Sequence, residues 1–144
     1  DYRCGYCRRM TPVVKQLMAD DPNLRVVFKE LPILSPESQL AAKAALAAEA
    51  QGKYLPLHEA LMESDSSLSL PDILKLATEL QLDTVRLQQD MNKPEIQAAL
   101  QKNHALAQAV GINGTPAFIV GAELVPGALD LGTFKGLIAR ARKR

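Results

Sequence analysis

Cysteine is scarce in this sequence, with two in 144 residues, and neither sign of charge dominates, with 17 lysines and arginines against 16 aspartates and glutamates. A stabilising disulfide framework uses more cysteines at wider spacings, so Cys4 and Cys7 read as chemical rather than structural residues. A net charge of +1 leaves no electrostatic footprint for nucleic acid or an acidic polymer. No run of about 18 apolar residues exists, so no segment reads as a transmembrane helix. No signal peptide is visible because the sequence opens directly on its motif, and a trimmed secreted protein looks the same. Repeats are absent, and the only biased stretch is a run of alanines.

Histidine is scarce too. A zinc site wants four ligands, and His58 and His104 lie far apart at no usual spacing. An iron–sulfur centre normally wants four cysteines. Two soft thiolates are enough for Cu(I), so that reading stays open beside redox chemistry and chance pairing. His58 and His104 themselves read as surface or helix-packing residues. The four methionines, Met10 near the motif among them, read as core or groove lining.

What is present suits one domain with a real core: 144 residues, 47% of them apolar and 23% charged. Met10, Val13, Val14, Leu17 and Met18 recur at helical spacing and predict a helix from Cys7 to Ala19, broken by Asp20-Asp21-Pro22-Asn23. Leu24 to Leu31, with Val26, Val27 and Phe28, predicts a short strand ended by Pro32. From Pro36 to about Val110 the pattern is helical throughout. Ser35-Pro36 resembles an N-cap followed by proline at the first helical position. The predicted helices are Leu40–Ala50, Leu55–Glu63, one opened by Ser69-Leu70-Pro71-Asp72, Asp83–Met91, and Pro94–Ala109 closed by Gly111. Two short strands, Ala117–Val120 and Glu123–Val125, have hairpin spacing. A last helix runs from about Asp130 to Arg142, and its basic end suits the helix dipole. The class is therefore α/β, with a helical block between an early strand and a late hairpin, best explained as an insertion into one sheet-based domain.

The spacing Cys4-Gly5-Tyr6-Cys7 has its own logic when it opens a helix. The first thiol meets unsatisfied amides and the positive end of the dipole, which favour a thiolate. The second lies one turn further in and can attack a mixed disulfide on the first. Arg3, Arg8 and Arg9 add positive charge nearby. Gly114-Thr115-Pro116, just before the strand Ala117–Val120, is a second signal that is weak alone and more specific beside the first.

With both motifs in that order, the chain resembles the DsbA-like thiol–disulfide oxidoreductases of the thioredoxin superfamily. The resemblance rests on Asp1 through Cys7, on Ala105-Leu106-Ala107, and on Gly111 through Phe118, with the helical block between them. It implies a thioredoxin-like fold made of residues 1–35 and 111–144, with a helical insertion at 36–110. It implies Cys4 as nucleophile, Cys7 as resolving thiol, and Gly5 and Tyr6 as the dipeptide that tunes the potential. Pro116 resembles the family's cis-proline and Thr115 the residue whose backbone binds extended substrate. Gly-Tyr between the cysteines and Thr before proline resemble the isomerase pairing of the ScsC-like branch, whereas the oxidase DsbA carries Pro-His and Val.

The family usually has an apolar strand immediately before the cysteines, often with a buried acid. Only Asp1, Tyr2 and Arg3 precede Cys4 here, and sequence alone equates neither Asp1 nor Glu30 with that acid. The central strand is therefore expected from an upstream segment, whether disordered, cleaved or supplied by another chain. Glu30, at a strand end beside Lys29, reads as a surface charge, with a proton relay as the alternative. The implied partners are protein substrates with thiols or disulfides and a redox partner protein, with no cofactor and no nucleic acid. The implied compartment is the periplasm of the bacterial cell envelope.

Overall fold

A computed structural model describes all 144 residues. In chain order the elements are α1 (Gly5–Asp20), α2 (Pro36–Ala48), a 3-10 turn (Glu49–Gln51), α3 (Tyr54–Glu63), α4 (Leu70–Glu79), α5 (Thr84–Met91), α6 (Pro94–Val110), β1 (Ala117–Val120), β2 (Glu123–Pro126) and α7 (Leu131–Lys143). No helix is long and apolar enough to cross a membrane.

Local chemistry explains the boundaries. The Ser35 hydroxyl accepts from the Ser38 N–H with Pro36 at the first helical position, so α2 starts where its orphan amides find a partner. Ser69 and Asp72 form a reciprocal capping box on α4. Gly111, at φ +82°, closes α6 in the left-handed conformation that suits glycine. Asp83 and Asp130 cap α5 and α7 through their carboxylates.

Two cores result. The larger is built around α2, whose Ala41, Ala42, Ala44, Ala45, Ala47 and Ala48 are all buried. Small side chains let α3, α4, α5 and α6 approach this central helix closely, with Leu57, Leu61, Ile73, Leu87 and Leu100 filling the space between. Any added γ-carbon there has nowhere to go. An Ala44→Leu substitution should cost about 1–3 kcal/mol through overpacking, read as a lowered urea midpoint at unchanged m-value. The smaller core joins Met10 and Leu17 of α1 to Phe134 of α7, with Phe118 edge-on to Phe134 at 4.7 Å.

The sheet is a single antiparallel hairpin in which Phe118 pairs with Val125 and Ile119 with Leu124. The expected strand Leu24–Leu31 does not form as such. Those residues have no ladder partner, and a strand exists only through its partner. Leu24–Leu31 and Ala117–Val120 instead both line one groove of about 690 Å³, whose walls include Val26, Phe28, Phe118 and Val120. The helix expected from Cys7 begins at Gly5, with Cys4 as its N-cap residue.

Candidate active site

Cys4 occupies the N-cap of α1 in an extended conformation (φ −85°, ψ 119°), with no side chain capping the helix. The first amides of α1 are therefore free to face its sulfur. A turn holds the cysteine there, through Cys4 N–H to Asp1 C=O at 3.1 Å and Arg8 N–H to Cys4 C=O at 3.0 Å. The Asp1 carboxylate fixes that turn against the loop before α2. It accepts from Arg3 N–H (2.8 Å), Ile33 N–H (2.8 Å), Leu34 N–H (3.0 Å) and the Ser38 hydroxyl (2.7 Å).

Cys4 and Cys7 are free thiols of almost equal exposure, 8% and 7%. Whole-residue exposure does not distinguish them, but the surroundings of the two sulfurs do. Burial acts to raise the Cys4 thiol, yet the Cys7 amide, a Thr115 side-chain hydrogen bond, the Cys7 side chain and the Tyr6 amide outweigh it and hold Cys4 below the ordinary thiol range. Burial pushes the Cys7 thiol up. One helical turn thus separates a thiol that ionises readily from one that keeps its proton.

The loop carrying the second motif closes over the pair. The Thr115–Pro116 bond is cis, and the Thr115 carbonyl accepts from Cys4 Sγ at 3.4 Å. Thr115 acts in both directions, because that carbonyl favours the neutral thiol whereas its side chain favours the thiolate. The side-chain effect extends to Cys7 as well. Residues more than a hundred positions apart are thereby brought to one place.

The arginines expected to add positive charge are otherwise engaged. Arg3 donates to Ser66 C=O at 3.3 Å, Arg8 donates to Ser64 C=O, and the Arg9 guanidinium lies 5.0 Å from the centre of the Tyr6 ring. Arg3 and Arg8 thus brace the site against the loop after α3, and the leading influences on Cys4 are hydrogen bonds from Cys7, Thr115 and Tyr6 rather than these cations. Tyr6, 60% exposed, leaves Gly5-Tyr6 as the outward surface of the motif.

Glu30 departs from its expected place at the surface. Far from being a surface charge, it is 5% exposed, and its Oε1 accepts from the hydroxyls of Tyr2 (2.6 Å) and Tyr54 (2.5 Å). The signal was available in the alternation Phe28-Lys29-Glu30, because residues two apart in extended chain share a face. His58 is a packing residue with a polar contact, 2.8 Å from the Tyr2 hydroxyl. Met10 lies in the smaller core. No group of three or more His, Cys, Asp or Glu residues is arranged to hold a metal ion.

A family model described as a DSBA-like thioredoxin domain matches residues 1–139. Among solved structures, a thioredoxin-like oxidoreductase from Silicibacter pomeroyi DSS-3 is 46% identical, with TM-score 0.97 over 100% of this chain and 83% of that one. ScsC of Proteus mirabilis is 27% identical, with TM-score 0.90 over 100% of this chain and 80% of its own. The thiol-disulfide exchange protein alpha-DsbA2 of Wolbachia pipientis is 28% identical, with TM-score 0.92 over 97% and 77%. Among curated sequences, a chain named Na(+)/H(+) antiporter NhaA 3 from Salinispora tropica is 28% identical over 143 residues, 98% of this chain and 22% of that one. This chain thus spans about a fifth of the curated relatives it matches.

Proposed function

The chain belongs to the DSBA-like thioredoxin domain family, and from that premise we propose that it exchanges disulfides with protein substrates through Cys4 and Cys7. The single observation that carries this reading is the placement of two free thiols at the start of α1, with Cys4 at its N-cap and the cis Thr115–Pro116 loop 3.4 Å from its sulfur. In the reducing direction the Cys4 thiolate attacks a substrate disulfide, forming a Cys4–substrate bond and releasing one substrate thiolate. Cys7 then gives up its proton and attacks the Cys4 sulfur. The Cys4–Cys7 disulfide forms, and the second substrate sulfur leaves as a thiol. In the oxidising direction a substrate thiolate attacks the Cys4–Cys7 disulfide and the steps run backwards.

In this reading Gly5 and Tyr6 tune the potential, and Thr115 and Pro116 present backbone to an extended substrate chain. Residues 36–110 form a helical insertion into a thioredoxin-like unit of residues 1–35 and 111–144. Gly5-Tyr6 with Thr115 favours isomerisation of wrong disulfides over donation of new ones. The compartment is the bacterial cell envelope, in line with the relative from Salmonella enterica described as a periplasmic thioredoxin-like protein. A separate redox partner protein resets the pair. The antiport carried in the curated relatives' names is not proposed for this chain.

The test is reduction of insulin and refolding of scrambled ribonuclease, each with and without a copper chelator. Turnover that survives chelation is expected. Stoichiometric Cu(I) binding without exchange activity would replace the enzyme with a copper carrier using the same two thiolates.

A further inference from the structure

Four side chains with no part in the exchange steps form one buried polar cluster beside the catalytic turn. Tyr2 and Tyr54 both donate to Glu30 Oε1, at 2.6 and 2.5 Å. His58 Nδ1 lies 2.8 Å from the Tyr2 hydroxyl. Each phenol has one hydrogen, and both are used on Glu30. The His58 contact is therefore satisfied only if Nδ1 carries the proton and donates to the Tyr2 oxygen. Burial first, and then the Glu30 charge, hold both phenols well above the ordinary tyrosine range, so they remain donors. Phe28 and Tyr54 pack against the His58 ring at 4.7 and 5.7 Å, and Asn103 of α6 donates to the Glu30 carbonyl at 2.9 Å.

The cluster adds a directed polar link between the residues ahead of α1 and α3, which already share the larger core. Tyr2 is wholly buried and stands two residues before Cys4, inside the turn closed by Cys4 N–H to Asp1 C=O. Tyr54 and His58 belong to α3, in the helical layer. A carboxylate shared by two phenols fixes direction as well as distance, because each hydroxyl must point at one oxygen. We propose that Glu30 is a positioning residue for the dithiol. Clamped by Tyr2 and Tyr54, it holds the turn ahead of Cys4, so that helical-layer residues set how the first amides of α1 meet the Cys4 sulfur. This rests on the oxidoreductase reading only in taking the dithiol as the reactive group.

The test reads the dithiol directly, with no protein substrate. Reduced wild type, Glu30→Ala and Glu30→Gln are titrated by thiolate absorbance, equilibrated with glutathione, and unfolded thermally. Loss of the clamp in Glu30→Ala should raise the Cys4 titration and move the equilibrium toward the disulfide by about tenfold, or about 30 mV for a two-electron couple. Glu30→Gln keeps an acceptor for both phenols and should restore both readings to near wild type. A folded Glu30→Ala protein with unchanged titration and equilibrium would overturn the proposal, even with a lowered melting temperature. An equal shift in Glu30→Gln would also overturn it, since charge rather than position would then matter. If Glu30→Ala does not fold, Tyr54→Phe decides, with a smaller shift in the same direction supporting the clamp and no shift ending it. Failure of insulin or ribonuclease turnover bears only on the exchange reading and leaves these measurements standing.

Discussion

A Cys7→Ser protein will accumulate mixed disulfides with its substrates, whereas Cys4→Ser will accumulate almost none. The expectation does not come from whole-residue exposure, which is almost equal at the two cysteines. It comes from ionisation. Cys4 is held below the ordinary thiol range by amides at the start of α1 and by Thr115, while burial raises Cys7. Each pH unit separating the two is about tenfold in thiolate fraction near neutrality, and the thiolate is the attacking species. With Cys7 gone, nothing resolves the Cys4–substrate bond, so multiple turnover in insulin reduction is lost although the first attack proceeds. Trapping should speed up as pH rises toward the lowered Cys4 value and level off above it, because the thiolate is then fully formed. Non-reducing gels and mass spectrometry of trapped adducts provide the measurement. Equal trapping by both variants would mean that the roles are reversed or shared.

Tyr6→His will make the protein more oxidising by about 30 mV or more, tenfold in the equilibrium with glutathione. Oxidising power requires a reduced form stabilised as thiolate, which leaves the disulfide comparatively unstable. The Tyr6 backbone amide already contributes to that stabilisation, and substitution leaves it in place. An imidazolium at the same position adds a positive charge, and the 60% exposure of Tyr6 means that the ring can be exchanged without repacking a core. Arg9, now over the Tyr6 ring, would be repelled and is free to turn toward water. Wild type should therefore have an intermediate potential and rescue scrambled ribonuclease when reduced. A wild-type potential near −120 mV, as oxidising as DsbA, with no activity on scrambled ribonuclease would end the isomerase reading and leave an oxidase.

Much of the fold was legible because its signals are local. Ser35, Ser69 and Asp83 announce helix starts, and Gly111 a helix end, whatever surrounds them. The positions Met10, Val13 and Leu17 give α1 its buried face by spacing alone. Leu24–Leu31 was less legible for a physical reason. Its residues favour extended chain, but whether extended chain becomes strand depends on a neighbour elsewhere, and propensity cannot supply one. At the site, Cys4, Cys7, Thr115 and Pro116 could be named from two short motifs. The roles of Arg3, Arg8 and Arg9 could not, because a guanidinium's reach is long and its partners, the carbonyls of Ser64 and Ser66, are set by how α3 ends. The burial of Glu30 is only faintly legible in the sequence, because a single carboxylate reads as surface unless its partners are visible, and Tyr2 and Tyr54 lie 28 and 24 positions away from it.

Cys4 and Cys7 pack with Tyr2 into the large alanine-centred core, whereas Met10, one helical turn beyond Cys7, packs into the small core with Phe134. A single helix therefore has its roots in both packed bodies, and the reactive sulfurs lie near their seam. Any substitution that shifts α1 along its axis is therefore felt by two packed interiors at once, and the sulfurs at its start share in the shift.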